Sequence, residues 1–408
     1  MLMPKTPKEL FKFGPLQWIK YNGPIFFFKL TGLWKKSIRA SGDIETMTFL
    51  DKVYWLYKTT NPIKKPRKNS GLEAHFELQK LFQWTLPEGF SVENELKLTS
   101  VGDLIAHPYL ANSKEIIYQD IENSIFDSDL AMANLECPIY SRDKKEFVFS
   151  FEKAPPLYYD LESFTAAKGV NGKKYAFMAT ACNHSLDFGL EGIENTMEVL
   201  ESENIAYHGI NRDEKVAKQA KIIEKNGIKL GLIAYTFGLN AAKTPSDQPN
   251  IVNHAKLNEG VAAIDFTQID QQLQYCRDEK VDFIIAHLHW GLEHEFYPMP
   301  EQVELGQHLA ELGVDAIIGH HPHVVQPNEF YRTKRDPLRV VPIYYSLGNL
   351  INAFSASYLT KSAIAKFTLT KGSLKDGSRR VYVKHADHEL VQQKVDEKRK
   401  TIYLVPTH

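Results

Sequence analysis

The sequence predicts a mixed α/β fold, a sheet with helical cover, on three observations. From about Leu96 to Asn349, apolar strand-like runs alternate with amphipathic helix-like segments. Polar, ligand-capable residues directly follow five of those runs, and in open α/β sheets strand carboxyl ends converge on one crevice. Beyond Asn349 the alternation gives way to short strands at Ala363–Thr370, Arg380–His385 and Thr401–Val405, expected as an antiparallel edge or a second sheet.

The elements follow in order. The strand Leu96–Val101 leads to a helix expected near Ser113–Phe126, with Ser113 as N-cap. Leu130–Ala133 reads as a second strand. Tyr175–Ala181 reads as a third, followed by a helix near Gly189–Glu203. Ile228–Thr236 is a strand, and the amphipathic stretch Asn258–Glu279 precedes another at Val281–Ala286. Pro300–Leu312 is a helix with proline in its first turn and Gly313 ending it, before the apolar run Val314–Ile318.

A chain of 408 residues is long enough for one large or two ordinary domains, and 43% hydrophobic with 24% charged residues marks a folded protein. Cys137, Cys182 and Cys276 are odd in number and scattered, which suits a reduced compartment and small hydrophobes in a core. The net charge of −1 hides an asymmetry. Residues 1–70 hold fourteen Lys/Arg against four Asp/Glu, so that stretch carries +10 and the remainder −11. It also holds twelve aromatics, among them Trp18, Trp34 and Trp55.

This basic, aromatic-rich extension is expected either to pack on the main domain or to meet an anionic membrane surface or membrane protein. Its best apolar run, Tyr21–Phe28, is too short to span a bilayer, and no signal-peptide core precedes a small-residue cleavage site. The expected location is the cytoplasm or the periphery of the inner membrane surface. A boundary is expected in Asn61–Gly71, giving an extension over 1–70, a connecting segment over 71–95 and the main domain over 96–408.

Five termini carry chemistry. Asp103, after Gly102, offers a hard anionic oxygen, or a turn. Asn134-Leu135-Glu136 offers a carboxylate that could bridge two cations or pair with a neighbour, and Asn134 is a candidate substrate contact. In Asn183-His184-Ser185-Leu186-Asp187, the Asn183 oxygen can ligate, while Asp187 can orient His184 as a general acid. His287 and His289 are two apart on a strand and share a face, so both could reach one site. His294 and Glu295 read as surface residues, and His208, His254 and His308 as structural ones. Gly319-His320-His321-Pro322-His323 is the densest cluster, with Pro322 stiffening the loop. Tyr345–Asn349 closes a further strand, and Asn349 either lines the pocket or only turns the chain. The loops Ser141–Pro156 and Gly238–Asn253 carry no readable code.

Together the ordered motifs GD, NLE, NHSLDFG, HWGLE, GHHPHVVQ and YSLGN, over residues 96–355, closely resemble the CapA family. These are capsule or poly-γ-glutamate synthesis proteins related to the calcineurin-like metallophosphoesterases. The resemblance implies a metallophosphoesterase-like αββα sandwich with mixed sheets and a dinuclear divalent metal site. Its ligands would fall on Asp103, Glu136, Asn183, His289 and His323, with His321 or His320 completing the set. Asn183-His184…Asp187 also resembles the Asn ligand and His–Asp dyad of 5′-nucleotidase-type phosphoesterases. Two positions depart from the wider superfamily. Ile105 stands where a second ligand histidine is usual, with His107 as a substitute, and Glu136 stands at a bridging position usually held by Asp.

The leading expectation is therefore metal-dependent hydrolysis, most directly of a phosphoester, with Mn, Fe, Zn and Mg all compatible with this donor set. The alternatives are an accessory protein that binds or cleaves an anionic polymer such as polyglutamate, and a metal-stabilised scaffold docked at a membrane. No nucleic acid is expected as a partner.

Overall fold

The protein is described here from a computed structural model, which describes residues 3–11, 13–34, 37–41, 46–140 and 156–407. The loop expected over Ser141–Pro156 thus falls almost wholly outside the described residues.

Helices α1 (Pro15–Thr31), α2 (Phe49–Lys58) and α3 (Leu72–Gln79) precede the first strand, β1 (Ser91–Leu104). Then come α4 (Glu122–Phe126), β2 (Leu130–Leu135), α5 (Leu161–Ala167) and a small hairpin, β3 (Gly169–Val170) and β4 (Lys173–Lys174). β5 (Phe177–Ala179), α6 (Gly189–Ser202), β6 (Ala206–His208), α7 (Glu214–Ala217), β7 (Lys221–Lys225) and β8 (Ile228–Thr236) follow. Next are α8 (Thr267–Asp278), β9 (Phe283–His289), α9 (Pro300–Leu312), β10 (Ala316–His320), β11 (Asn328–Arg332) and β12 (Val340–Tyr344). The chain closes with β13 (Asn349–Ile351), β14 (Lys361–Ser373), β15 (Arg379–Asp396) and β16 (Thr401–Pro406).

Two mixed sheets stack face to face. One runs β16-β15-β14-β1-β2-β5-β6 with β13 beside β1, and the other β11-β12-β10-β9-β8-β7. β1, β2, β5 and β6 are parallel, as are β8, β9, β10 and β12, while β14–β16 form an antiparallel edge of the first sheet. The last three strands expected from sequence thus extend one sheet rather than build another.

The side-chain alternation of each strand explains the layering. Leu96, Leu98 and Met132 of the first sheet meet Leu230, Phe283 and Ile285 of the second in the central layer. The opposite face of β2, Ala131, Ala133 and Leu135, packs on Ile121, Ile125 and Phe164. Ile284 and Ala286 of β9 and Ile317 of β10 pack on α8 and α9 through Leu273 and Leu309. Strands buried on both faces need apolar residues at every position, which is why their sequences read as continuous runs. Each buried leucine or isoleucine contributes roughly 1.5–3 kcal/mol by leaving water.

Two helices are shorter than the sequence pattern suggests, and tertiary hydrogen bonds explain both. Ser113 does not cap a helix: its Oγ donates to the Tyr109 carbonyl at 2.7 Å and accepts from Ile402 N at 2.8 Å. The Ile117 carbonyl accepts from Leu404 N of β16, so regular helix is confined to Glu122–Phe126. Asn258 is clamped to Gly291 by both ends of its amide, at 2.7 and 2.9 Å, and α8 begins only at Thr267.

Candidate metal centre

The carboxyl ends of β1, β2 and β5 in one sheet and β9 and β10 in the other point to the same edge of the sandwich. β1 approaches the start of β13 closely. A Cβ on Gly102 would lie 2.0 Å from the Gly348 carbonyl oxygen, so only glycine allows the register that pairs Asp103 with Asn349. Asp103 is fully buried. Its Oδ1 accepts from Asn134 Nδ2 at 2.9 Å and faces His320 Nδ1 at 3.1 Å. Its Oδ2 accepts from the His321 backbone N–H at 3.2 Å.

β10 ends in a strained loop. His321 and His323 adopt φ values of 93° and 58°, and a left-handed residue other than glycine costs roughly 1–3 kcal/mol, tolerated where function over-determines it. The conformation brings both imidazoles inward. His321 Nε2 hydrogen-bonds the Ser41 carbonyl, leaving Nδ1 with a free lone pair, the usual second partner that fixes a metal-binding tautomer. His323 Nδ1 lies 2.8 Å from Asn349 Oδ1, and its Nε2 lies 3.5 Å from Glu136.

Two overlapping triads result. Asp103, Glu136 and His289 form one, and Glu136, His321 and His323 the other, each with its ligand atoms within 4.8 Å of one another. Glu136 belongs to both. Asn183 Oδ1 lies 2.9 Å from His289 Nε2, which places both atoms where they could face one cation. Glu136 Oε2, Asn134 Oδ1 and His321 Nδ1 are buried without a hydrogen-bond partner among the described residues. Orphaned buried acceptors of this kind are expensive unless something electropositive meets them. The donor set therefore fits divalent metal.

The electrostatics agree. Burial opposes ionisation of Asp103, but hydrogen bonds from His320 and His323 outweigh it and hold the carboxyl well below its usual range. Burial pushes Glu136 well above its own, against His323 and with help from Asp103. Burial lowers His289 far below an ordinary imidazole and His321 to about 4, keeping both neutral as ligands must be. His323 is pushed the other way, to about 10: burial opposes this, but Glu136 and Asp103 prevail. A cation held by His323 would displace that proton, because a ligand imidazole is neutral.

Beside the triads, His184 Nδ1 lies 2.7 Å from Asp187 Oδ2, and the same oxygen accepts from Leu157 N at 2.7 Å. Asn240 joins Asn183 and His184, at 3.1 and 3.4 Å. The anticipated histidines divide between the two triads and the residues around them. His320 Nδ1 faces Asp103 and its Nε2 lies 3.3 Å from His287 Nδ1, while His321 rather than His320 stands in a triad. His287, expected to share the site with His289, stacks on His320 and supports it from behind. His107 accepts from Tyr109 N at 2.9 Å and belongs to neither triad. Asn134 orients Asp103, and Asn349 orients His323 while lining the cavity. Cys137, Cys182 and Cys276 are free and buried.

His294 and Glu295 are not surface residues. The N-terminal helices cover them: Ile63 pairs with Glu295, and Lys58 Nζ, fully buried, reaches Glu295 at 2.8 Å. Trp55 Nε1 donates to Glu293 Oε2 at 2.6 Å, and Glu293 in turn lies 3.9 Å from His323. Glu293, Trp55, Ser41 and Asn240 were not anticipated. Only Glu293 left a trace, as the last letter of HWGLE.

A sandwich of two mixed sheets with helices outside, carrying an Asp/Glu/Asn/His cluster at its strand ends, defines a metallophosphoesterase-like fold. Residues 97–353 match the profile of the bacterial capsule synthesis protein PGA_cap, and the chain belongs to that family. It is similar to the capsule biosynthesis protein CapA of Bacillus anthracis, 25% identical over 68% of this chain and 65% of that protein. It also resembles the PGA biosynthesis protein CapA of Bacillus subtilis, 26% identical over 68% and 69%. A probable polyglutamine synthesis accessory protein of Mycobacterium tuberculosis is 27% identical over 43% and 45%. The match thus spans just under two thirds of the Bacillus anthracis protein's length.

Proposed function

We propose that the chain is a metal-dependent hydrolase acting on a phosphoester. The observation that carries this reading is Glu136 shared by two ligand triads, with His184, paired to Asp187, lining the same cavity. Asp103, Glu136, His289 and Asn183 would hold one cation, and Glu136, His321 and His323 a second. Bound there, divalent metal would polarise a phosphoryl oxygen and lower the pKa of a water towards about 7. Asp187 fixes His184 Nδ1, leaving Nε2 to donate a proton to the leaving group. Asn240 steadies Asn183 and His184 together.

The test is hydrolysis of an aryl phosphodiester and monoester with added Mn²⁺, Zn²⁺ or Mg²⁺. His184→Ala should lower turnover by roughly 10²–10⁴ while keeping its metal. Undiminished turnover in that variant would remove His184 from the mechanism.

A second reading takes its support from the relatives' names: the anionic group on the metals would belong to a polyglutamate chain, bound or cleaved during capsule assembly. Release of glutamate oligomers by the metal-loaded protein, without aryl phosphate turnover, would favour it.

The N-terminal extension supports a membrane contact in either case. No described helix is long and apolar enough to cross a membrane. α1, however, turns Leu16, Ile19, Phe26, Phe27 and Leu30 outward, with Leu16 84% and Leu30 72% exposed, opposite the Tyr21, Ile25 and Phe28 that pack on its neighbours. Lys20 and Lys29 flank this stripe, the pattern of a helix lying in an anionic interface, which would make the protein peripheral. Co-sedimentation with phosphatidylglycerol vesicles but not with neutral ones is expected. Equal recovery on both would remove the lysines from the account.

A further inference from the structure

A cavity of about 300 Å³ opens on the metal-ligand cluster, and its floor and walls differ in chemistry. Glu136, His184 and His323 line the floor. Leu10 and Phe11 of the N-terminal segment and Phe354 and Leu359 from the chain after β13 form its apolar walls. These walls are built rather than draped. Ser355 N and Ala356 N donate to the Pro4 and Lys5 carbonyls, both at 3.0 Å, which ties the two walls together. Phe11 packs edge-on against Trp55 with ring centroids 6.0 Å apart, and Trp55 is anchored on Glu293.

A hydrophilic substrate gains nothing from such walls, because water must leave apolar surface that the substrate cannot cover. The apolar surface also continues outward. Beyond Phe11 the chain passes through Phe13, whose ring lies 5.9 Å from Tyr21, into α1 and its exposed stripe. One N-terminal unit therefore supplies both a wall of the site and an apolar outer face.

We propose that the substrate is amphiphilic: a phosphoester whose anionic head rests on the metal-ligand floor and whose apolar chain lies between Leu10 and Phe354. This inference rests on the phosphoester reading above and names the substrate class for that site. It assigns the N-terminal segment to chain recognition.

Calorimetric binding of ethyl, butyl, hexyl and octyl phosphate to the full chain tests it. Affinity should rise by up to about fourfold per added methylene until the walls are covered. Leu10→Asn and Phe354→Asn, one from each wall segment, should each cut the octyl-to-ethyl affinity ratio by about tenfold. Reading the ratio separates loss of the wall from general damage, which lowers both affinities. A flat series in the unmodified chain overturns the inference. If aryl phosphate turnover persists beside a flat series, the hydrolase reading stands without it. If no alkyl phosphate binds and no aryl phosphate is turned over, both fail.

Discussion

In the sandwich, Leu96, Met132 and Ile285 are sealed between two sheets, whereas in α1 Leu16, Phe26 and Leu30 stand in solvent. The same residue types do opposite things in the two regions. Central burial gives the strand ends a rigid base, so that Asp103 and His289 are held by backbone register and Glu136 and His321 follow directly after β2 and β10. The N-terminal unit is held by long-range polar links, among them Trp55 to Glu293, Lys58 to Glu295 and Ser41 to His321. The floor of the site is thus made by one region and its roof by another. The difference teaches that the roof can be altered with less effect on the fold than the floor.

Breaking the floor should have the largest effect. Asp103→Ala removes the shared partner of Asn134, His320, His321 and His323 and leaves buried groups uncompensated. A loss of roughly 3–5 kcal/mol in denaturant unfolding is expected, as for other broken buried pairs. Trp55→Phe cuts the link between the regions while keeping most of the ring. Leaving the buried Glu293 oxygen without its donor should cost about 1–3 kcal/mol in the same measurement, with the metal ligands untouched. Paired Ile19→Asp and Phe27→Asp substitutions on the exposed stripe should change stability by no more than about 0.5 kcal/mol. The same pair should weaken anionic vesicle binding by about tenfold or more, since each side chain would lose its apolar burial in the interface.

The smallest effect concerns α3. A hydrogen bond to Glu329, 3.3 Å away, raises the His75 pKa despite partial burial. A raised folded value means stabilisation present below the unfolded value of about 6.5 and lost as pH climbs through the folded one. His75→Gln should therefore lower the melting temperature more at pH 6 than at pH 9, by an amount equivalent to less than about 1 kcal/mol. An equal gap at both pH values would show that packing, not charge, fastens α3.

Much of the sandwich was legible because its information is local. A polar residue directly after an apolar run, as at Asp103 or Asn183, lies at a strand end whatever the rest of the chain does. Pro300 and Gly313 likewise bounded α9 on their own. The choice between His320 and His321 was not legible, because it depends on a positive φ at His321 that turns its ring inward. Nor was the burial of His294 and Glu295, which depends on a segment more than 200 positions away. Ser113 looked like a helix cap and became a tie to β16 for the same reason.

The most direct test of the central claim is the metal content of protein purified without chelator, with Asp103→Ala beside it. The account predicts one to two divalent ions per chain in the unmodified protein and a clear loss in the variant. Protein free of metal, yet as stable as after metal addition, would contradict it and leave the two triads as a structural polar cluster.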